Sequence, residues 1–324
     1  MSKTQKTIDE YLYRGYQLWK RAAKELVLEA NKLEPKKFLD WFEKLLPKLM
    51  PASRRYYIAS SREFLIALQK KNDREALFDS NLQIEISRIM AMQSSHFSET
   101  GEDVPRGRTS NQKAKKLKVD EMKKMKENSE KIRGKWVKKS IAWMEANLLV
   151  GLRPSEWRSA KIGNLNGKLV LEVKNGKNSN QRANGQYRHL DISEFSLEQL
   201  KVIKKQIKIA ARFSGSDEEW HVFYEGVRKT IHKLTRLTFK NRTKYPSLYS
   251  SRHQFCADAK SSGLNLVEIA ALMGHATDET ATFHYGKKRY GSSGFKVKPS
   301  EIETQTVRLK AINRMNRGNA RPRI

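Results

Sequence analysis

Between residues 8 and 30, Tyr11, Leu12, Leu18, Trp19, Ala22, Ala23, Leu26 and Val27 recur at mostly helical intervals, with Asp9 and Glu10 near the start. That period predicts an opening helix. Pro35, Pro47 and Pro51 punctuate the chain beyond it, and a later apolar segment from Tyr56 to Leu68 is accompanied by Arg54, Arg55 and Arg62. The first hundred residues therefore read as a small helical bundle, with Tyr56, Tyr57 and Phe64 expected in its core. The pattern lapses from Gly101 to Lys118 and resumes at Val119. Trp136, Val137, Ile141, Trp143, Met144 and Leu148 then mark a helix face that stops at a turn around Gly151. Lys168-Leu-Val-Leu-Glu-Val-Lys174 is rich in β-branched and aliphatic residues and reads as a short strand, with Tyr187 to Ile192 as its partner. The polar residues from Asn175 to Gln186 are then a long, mobile hairpin tip. Helices follow, Leu197 to Ala211 the clearest, and Asn265 with Glu268 three residues on has the spacing of a capping box. Ile269, Leu272 and Met273 give that last helix its apolar face, and Gly274 is placed to end it, presenting His275 at a helix C-terminus.

These elements imply a mainly α protein with a small antiparallel β-sheet in its second half. The domains expected are a helical one over 1–103, a basic linker over 104–118, a second domain over 119–297 and a C-terminal helix or tail over 298–324. Within the last, Ile302, Leu309 and Ile312 fall at roughly helical intervals over 301–316, after the Gly291-Ser-Ser-Gly294 breaker and Pro299. An amphipathic helix detached from its own domain is expected there.

Charge narrows the possible partners. The chain of 324 residues carries 65 Lys and Arg against 35 acidic residues, a net of +30, far more than solubility asks of a protein this size. Residues 104–139 alone hold 14 basic and 4 acidic side chains. A polyanion is the natural counterpart, and nucleic acid the commonest one. Lys113, Lys115, Lys116 and Lys118 in the linker, with Arg54, Arg55 and Arg62 in the bundle, are the expected phosphate contacts. The single Cys256 rules out an internal disulfide and a cysteine zinc cluster. No apolar run reaches the roughly 18 residues of a membrane span, and the N-terminus has no signal core. A cytoplasmic protein without metal or other cofactor is expected.

Two arginine motifs stand far apart in sequence: Gly151-Leu-Arg153-Pro-Ser-Glu156 and Tyr249-Ser-Ser-Arg252-His253. Gly274-His275 and then Thr280-Ala-Thr-Phe-His-Tyr285 follow. Arginine's planar fork suits the nonbridging oxygens of a phosphodiester, because it donates two parallel hydrogen bonds and keeps its proton. In residue type, order and separation this set resembles the tyrosine recombinase, or phage integrase, family, over roughly Val119 to Tyr290.

The resemblance implies a two-domain clamp on double-stranded DNA. It implies a site-specific recombinase of a mobile element that works through a 3′-phosphotyrosine intermediate without ATP or metal. Tyr285 falls at the nucleophile's place, with Tyr290 five residues on as its competitor. Arg153, Arg252 and His275 fall where the family holds the scissile phosphate, with Glu156 and His253 behind them. Lys177 or Lys174, on the strand hairpin, falls where the family keeps its general acid. Tyr249 stands where the family usually has histidine; its phenol still donates a hydrogen bond but is a poor base near neutral pH. The family also suggests a monomer in solution, a homotetramer on two duplexes, a C-terminal helix exchanged between protomers, and accessory bending or directionality factors. A topoisomerase IB or telomere-resolving enzyme, and a noncatalytic DNA-binding protein of the same fold, are the other readings.

Overall fold

The computed structural model describes residues 4–74, 80–92, 113–176, 183–279, 286–292 and 294–310. The chain divides into two compact units, Met1–Arg108 and Thr109–Ile324. Lys177 and Tyr285 lie outside the described residues, as do 311–324.

The first unit holds α1 (Gln5–Glu25), α2 (Pro35–Leu45), α3 (Pro51–Arg74) and α4 (Ser80–Ala91). Leu18, Trp19, Phe38, Phe42, Leu65, Leu82 and Ile89 form its core, with Tyr57 and Phe64 packed against them, whereas Tyr56, expected with those two, is exposed. Helices α1 and α3 touch at Gly15, where a Cβ would come within 2.5 Å of the Ser60 carbonyl oxygen. Only glycine permits that approach. Arg88 of α4 fastens α2 through Glu43 at 2.6 Å and Asp40 at 2.9 Å.

The phosphate contacts expected here divide. Arg55 is exposed, whereas Arg54 is only 2% exposed. Helical phase explains the correction: positions 54, 58, 61 and 65 share one face of α3, and Ile58, Ser61 and Leu65 on it are all buried. Arg62 is half-buried and reaches the carbonyls of Ile89 and Met90 in the last turn of α4, at 3.4 Å each. It therefore serves the bundle's own orphan carbonyls.

The second unit runs α5 (Val119–Ser129), α6 (Val137–Val150), β1 (Lys161–Leu165), β2 (Lys168–Lys174), β3 (Tyr187–Asp191), α7 (Leu197–Ala211), α8 (Asp217–Thr238), α9 (Leu248–Ser261), α10 (Leu266–Met273) and β4 (Lys298–Pro299). A short helix, Glu301–Gln305, is the last helix among the described residues. Trp143 of α6 stacks on Phe223 of α8 at 5.2 Å, and Phe255 of α9 lies in the same core with Leu171, Val173 and Leu190 of the sheet. The sheet is antiparallel in the order β1-β2-β3-β4. β1 and β2 are joined at Asn166-Gly167, both with positive φ, 51° and 78°, the pairing that a tight primed turn requires.

Two expectations need correction here. The described part of the segment after 297, to residue 310, is not detached: Pro299 pairs with Leu190 and Lys298 with Asp191, and Val307 is buried against Ala270 and Ala271 of α10. Its helix spans five residues, and Glu303 on it turns inward, accepting from the backbone N of His189 at 2.7 Å and facing its Nδ1 at 2.9 Å. The base of the 175–186 hairpin is likewise fixed rather than open. Asn175 and Asn184 are buried, and Asn175 Nδ2 donates to the carbonyls of Asn184 and Gly185 at 2.9 and 3.0 Å.

Candidate active site

Helix α6 ends in a left-handed Gly151, φ 62°. A Cβ there would lie 2.3 Å from the ring of Phe255, so glycine both caps α6 and lets it meet α9. Two residues on, Arg153 enters the 3₁₀ turn Pro154–Arg158, where proline at the first position costs no hydrogen bond. Glu156 closes that turn on itself. Its Oε2 accepts the backbone N of Arg153 at 2.6 Å, and its Oε1 accepts Arg153 Nη1 at 2.7 Å and the backbone N of Gly176 at 3.2 Å.

Arg252 is fully buried on α9. It donates to the carbonyl of Gly151 and, at 2.7 Å, to that of Met273, and its Nη1 lies 3.7 Å from Glu156 Oε2. His275 follows α10 as expected. Asn265 Oδ1 accepts from Val267 N and Glu268 N, Glu268 Oε2 accepts from Asn265 N, and Gly274 closes the helix with φ 62°. The imidazole is buried with Nε2 3.5 Å from Arg252 Nη2. Burial, then Arg252, Arg153 and Arg188, drive its pKa well below the usual histidine value, with Glu156 opposing. It is therefore neutral at neutral pH. Burial likewise raises the Glu156 carboxyl, yet Arg188, Arg252 and Arg153 outweigh it and hold the group well below the carboxylate range.

Sequence reasoning missed Arg188. It lies on β3, 1% exposed, and donates to Glu156 Oε2 at 2.8 Å and Oε1 at 3.2 Å, to the carbonyl of Leu272 at 3.0 Å, and to Asn175 Oδ1. The signal was its parity: Arg188, Leu190 and Ile192 alternate inward together, and all three are buried.

The remaining candidates surround this centre. Tyr249 sits one turn before Arg252 on α9 and is 40% exposed. His253 is half-buried, its pKa lowered to about 4 by burial and then by Lys115, Arg252 and Lys260, which makes it a weak proton acceptor at neutral pH. Lys174 ends β2 and is exposed. The linker's end runs along the start of α9. Ala114 N donates to the Tyr245 carbonyl, Ser250 Oγ to the Ala114 carbonyl, and Leu117 N to Gln254 Oε1. Lys113, Lys115 and Lys118 are exposed on that run, while half-buried Lys116 stands 5.6 Å from the ring of Tyr290.

The segment immediately after position 285 is stapled to α9. Lys260 Nζ donates to the Gly286 carbonyl at 3.0 Å, Gln254 Nε2 to that of Tyr290 at 2.8 Å, and Ser292 N to Asp258 Oδ1 at 2.7 Å. A Cβ at Gly286 would come within 2.3 Å of the His253 carbonyl oxygen, and one at Gly291 within 2.3 Å of that of Ala257. Among the described residues no group of His, Cys, Asp or Glu side chains is placed to hold a metal ion, and no helix is long and apolar enough to cross a membrane.

The family model described as the phage integrase family matches residues 115–291, more than half of the chain. No curated protein matches it. Among solved structures it is similar to XerA recombinase, at 17% identity and TM-score 0.33, covering 99% of this chain and 94% of that one. A lambda integrase dimer bound to a COC′ core site follows at 13% and 0.42, with 87% and 79% covered. The Tn1549 transposon integrase in complex with a circular intermediate DNA stands at 14% and 0.35, with 94% and 99% covered. The family match spans both arginine motifs, Gly274-His275 and Tyr285. The chain is a member of the phage integrase family, the site-specific tyrosine recombinases.

Proposed function

We propose that this chain cuts and rejoins duplex DNA for a mobile genetic element by transesterification through Tyr285. The observation that carries this reading is the cluster of buried guanidiniums. Arg153, Arg188 and Arg252 act on His275 beside the carboxylate of Glu156. Planar forks gathered in this way suit an anion, and a phosphodiester has the charge and geometry they match.

Arg153 and Arg252 neutralise the nonbridging oxygens, neutral His275 donates one further hydrogen bond, and Tyr249 can donate another. The Tyr285 oxygen attacks phosphorus, losing its proton to solvent, while the bond to the 5′-oxygen breaks. That oxygen takes a proton from Lys177 or Lys174. One phosphodiester is exchanged for another, so the 5′-hydroxyl can later reverse the step without ATP. The exposed linker lysines and Arg55 track the backbone. Two duplexes and four protomers assembled from monomers in the bacterial cytoplasm, with accessory bending or directionality factors, complete the proposed reaction.

The test is covalent capture on a pool of nicked duplexes with randomised core sequence. Wild type should yield a protease-sensitive adduct on the 3′ side of the break, Tyr285→Phe none, and Tyr290→Phe an adduct like wild type. Tyr290 is held by its carbonyl to Gln254, and its hydroxyl accepts from Arg289 Nη2 at 2.9 Å. Loss of the adduct in Tyr290→Phe alone would move the nucleophile. Binding without any adduct would leave a DNA-binding protein.

A further inference from the structure

We propose that Arg188 is a positioning residue of the strand-transfer centre, holding Glu156 so that Arg153 is oriented without being neutralised. This rests on the reading of the centre as a phosphodiester site.

A carboxylate beside a phosphate-binding arginine has two opposed effects. Glu156 orients Arg153 by accepting both its backbone N and its Nη1. Its negative charge also cancels part of the attraction that Arg153 offers an anion. Arg188 resolves the conflict by donating to both Glu156 oxygens, so that one carboxylate is shared between Arg153 and Arg188 and lies 3.7 Å from Arg252.

The same guanidinium sets spacing. It bonds Asn175 Oδ1 at the neck of the β2-β3 hairpin and the carbonyl of Leu272 in the last turn of α10, three residues before His275. Space around it is closed: a Cβ on Gly274 would lie 2.8 Å from Arg188 Nη1. One side chain thus registers the Arg153 turn, the hairpin neck and the His275 helix against one another. Lysine would keep the charge but offers a single nitrogen in place of the fork.

Single-turnover cleavage of the nicked duplex, with duplex affinity measured in parallel, tests the idea. Arg188→Met should bind DNA as wild type but cleave ~10–100-fold more slowly, the cost typical of a group that orients a reacting ligand. Arg188→Lys should recover part of the rate. The decisive comparison is Arg188→Met with Glu156→Gln. If the harm lies in an unshared carboxylate, the double variant cleaves faster than Arg188→Met alone. A double variant no faster than the single one, or a single variant at the wild-type rate, overturns the proposal.

A second measurement needs no cleavage. Inorganic phosphate, added at constant ionic strength, should raise the Tm of wild type and of a Lys201→Ala control on the exposed face of α7, but not that of Arg188→Met. An unchanged phosphate response in Arg188→Met would also overturn the role. Wild type that responds to phosphate yet forms no adduct would sink the proposed reaction and leave this inference standing.

Discussion

Arg252 and Met273 are joined by a 2.7 Å hydrogen bond from the guanidinium Nη2 to the main-chain carbonyl, two residues before His275. Because the same side chain also donates to the Gly151 carbonyl, two residues before Arg153, it ties together the segments that carry both neighbouring candidates while being one itself. Arg153→Ala and Arg252→Ala should each retain most duplex affinity, since one phosphate contact among many costs little. Each should cleave ~10²- to 10³-fold more slowly, as when one charge-stabilising donor is removed. Their stabilities should differ. Arg252→Ala strands two carbonyls at ~1–3 kcal/mol each, so its Tm should fall by roughly 4 °C or more, and more than that of Arg153→Ala in the same thermal scan.

Acid should begin to destabilise the protein before the carboxylates at large are protonated. His275 and His253 both have folded pKa values below the ordinary histidine value, the latter at about 4. As pH falls through about 6.5 the unfolded chain takes up protons that the folded chain refuses. Their contribution is therefore fully present above that pH and is lost below it, down to about 4 for His253. Each such proton tilts stability by ~1.4 kcal/mol per pH unit. Glu156, with its lowered folded pKa, adds loss in the same direction below about 4.5. Denaturant midpoints from pH 7 to 4 should fall, and His275→Asn should flatten the upper part of that slope; an unchanged slope would mean the imidazole is charged when folded.

Truncation separates two parts of the C-terminal segment. Ending the chain after Pro299 removes Glu303 from His189 and Val307 from α10, so it should lower Tm and duplex binding together. Ending it after Lys310 keeps those contacts. That variant should bind single sites and cleave as wild type while synapsis and complete strand exchange fall, read by native gel and by recombinant product. Full recombination by the shorter chain would remove the proposed exchange between protomers.

Mixing tests which chain supplies the nucleophile. Gly286, which directly follows Tyr285 in the chain, is pinned to α9 by Lys260 and packs on the carbonyl of His253, the residue after Arg252. Each protomer should therefore serve its own phosphate. An equimolar mixture of Arg252→Ala and Tyr285→Phe should give no adduct on the nicked duplex; an adduct at half the wild-type yield would mean that tyrosines are donated between protomers.

Periodicity found most of the frame. Lys168–Lys174 and Leu197–Ala211 are the observed β2 and α7, and the Asn265–Glu268 box and Gly274 stop bound α10 as read. Local rules suffice where an element's signals lie within it. Asn166-Gly167 was a hairpin signal as strong as any and went unread, so β1 was missed. Arg54 and Arg188 are hard to read for a different reason: each is charged yet stands in an inward phase, marked by Ile58 and Leu65 for one and by Leu190 and Ile192 for the other. What brings Arg188, Asn175 and Leu272 to one carboxylate is tertiary and has no local signature. The same holds for β4, whose two residues have no period at all.

That fourth strand also bears on how the chain is made. Leu190 finds its partner Pro299 only after 299 − 190 = 109 further residues have been synthesised, which at ~5–20 residues per second takes roughly 5–20 s. Until then β3 presents an unpaired edge on the ribosome, and α10 lacks the Val307 that packs against it. A nascent chain broken off between Arg252 and Pro299 carries both arginines without the strand that pairs with Leu190, so under the proposed function an abortive product of that length is poorly equipped to cut DNA.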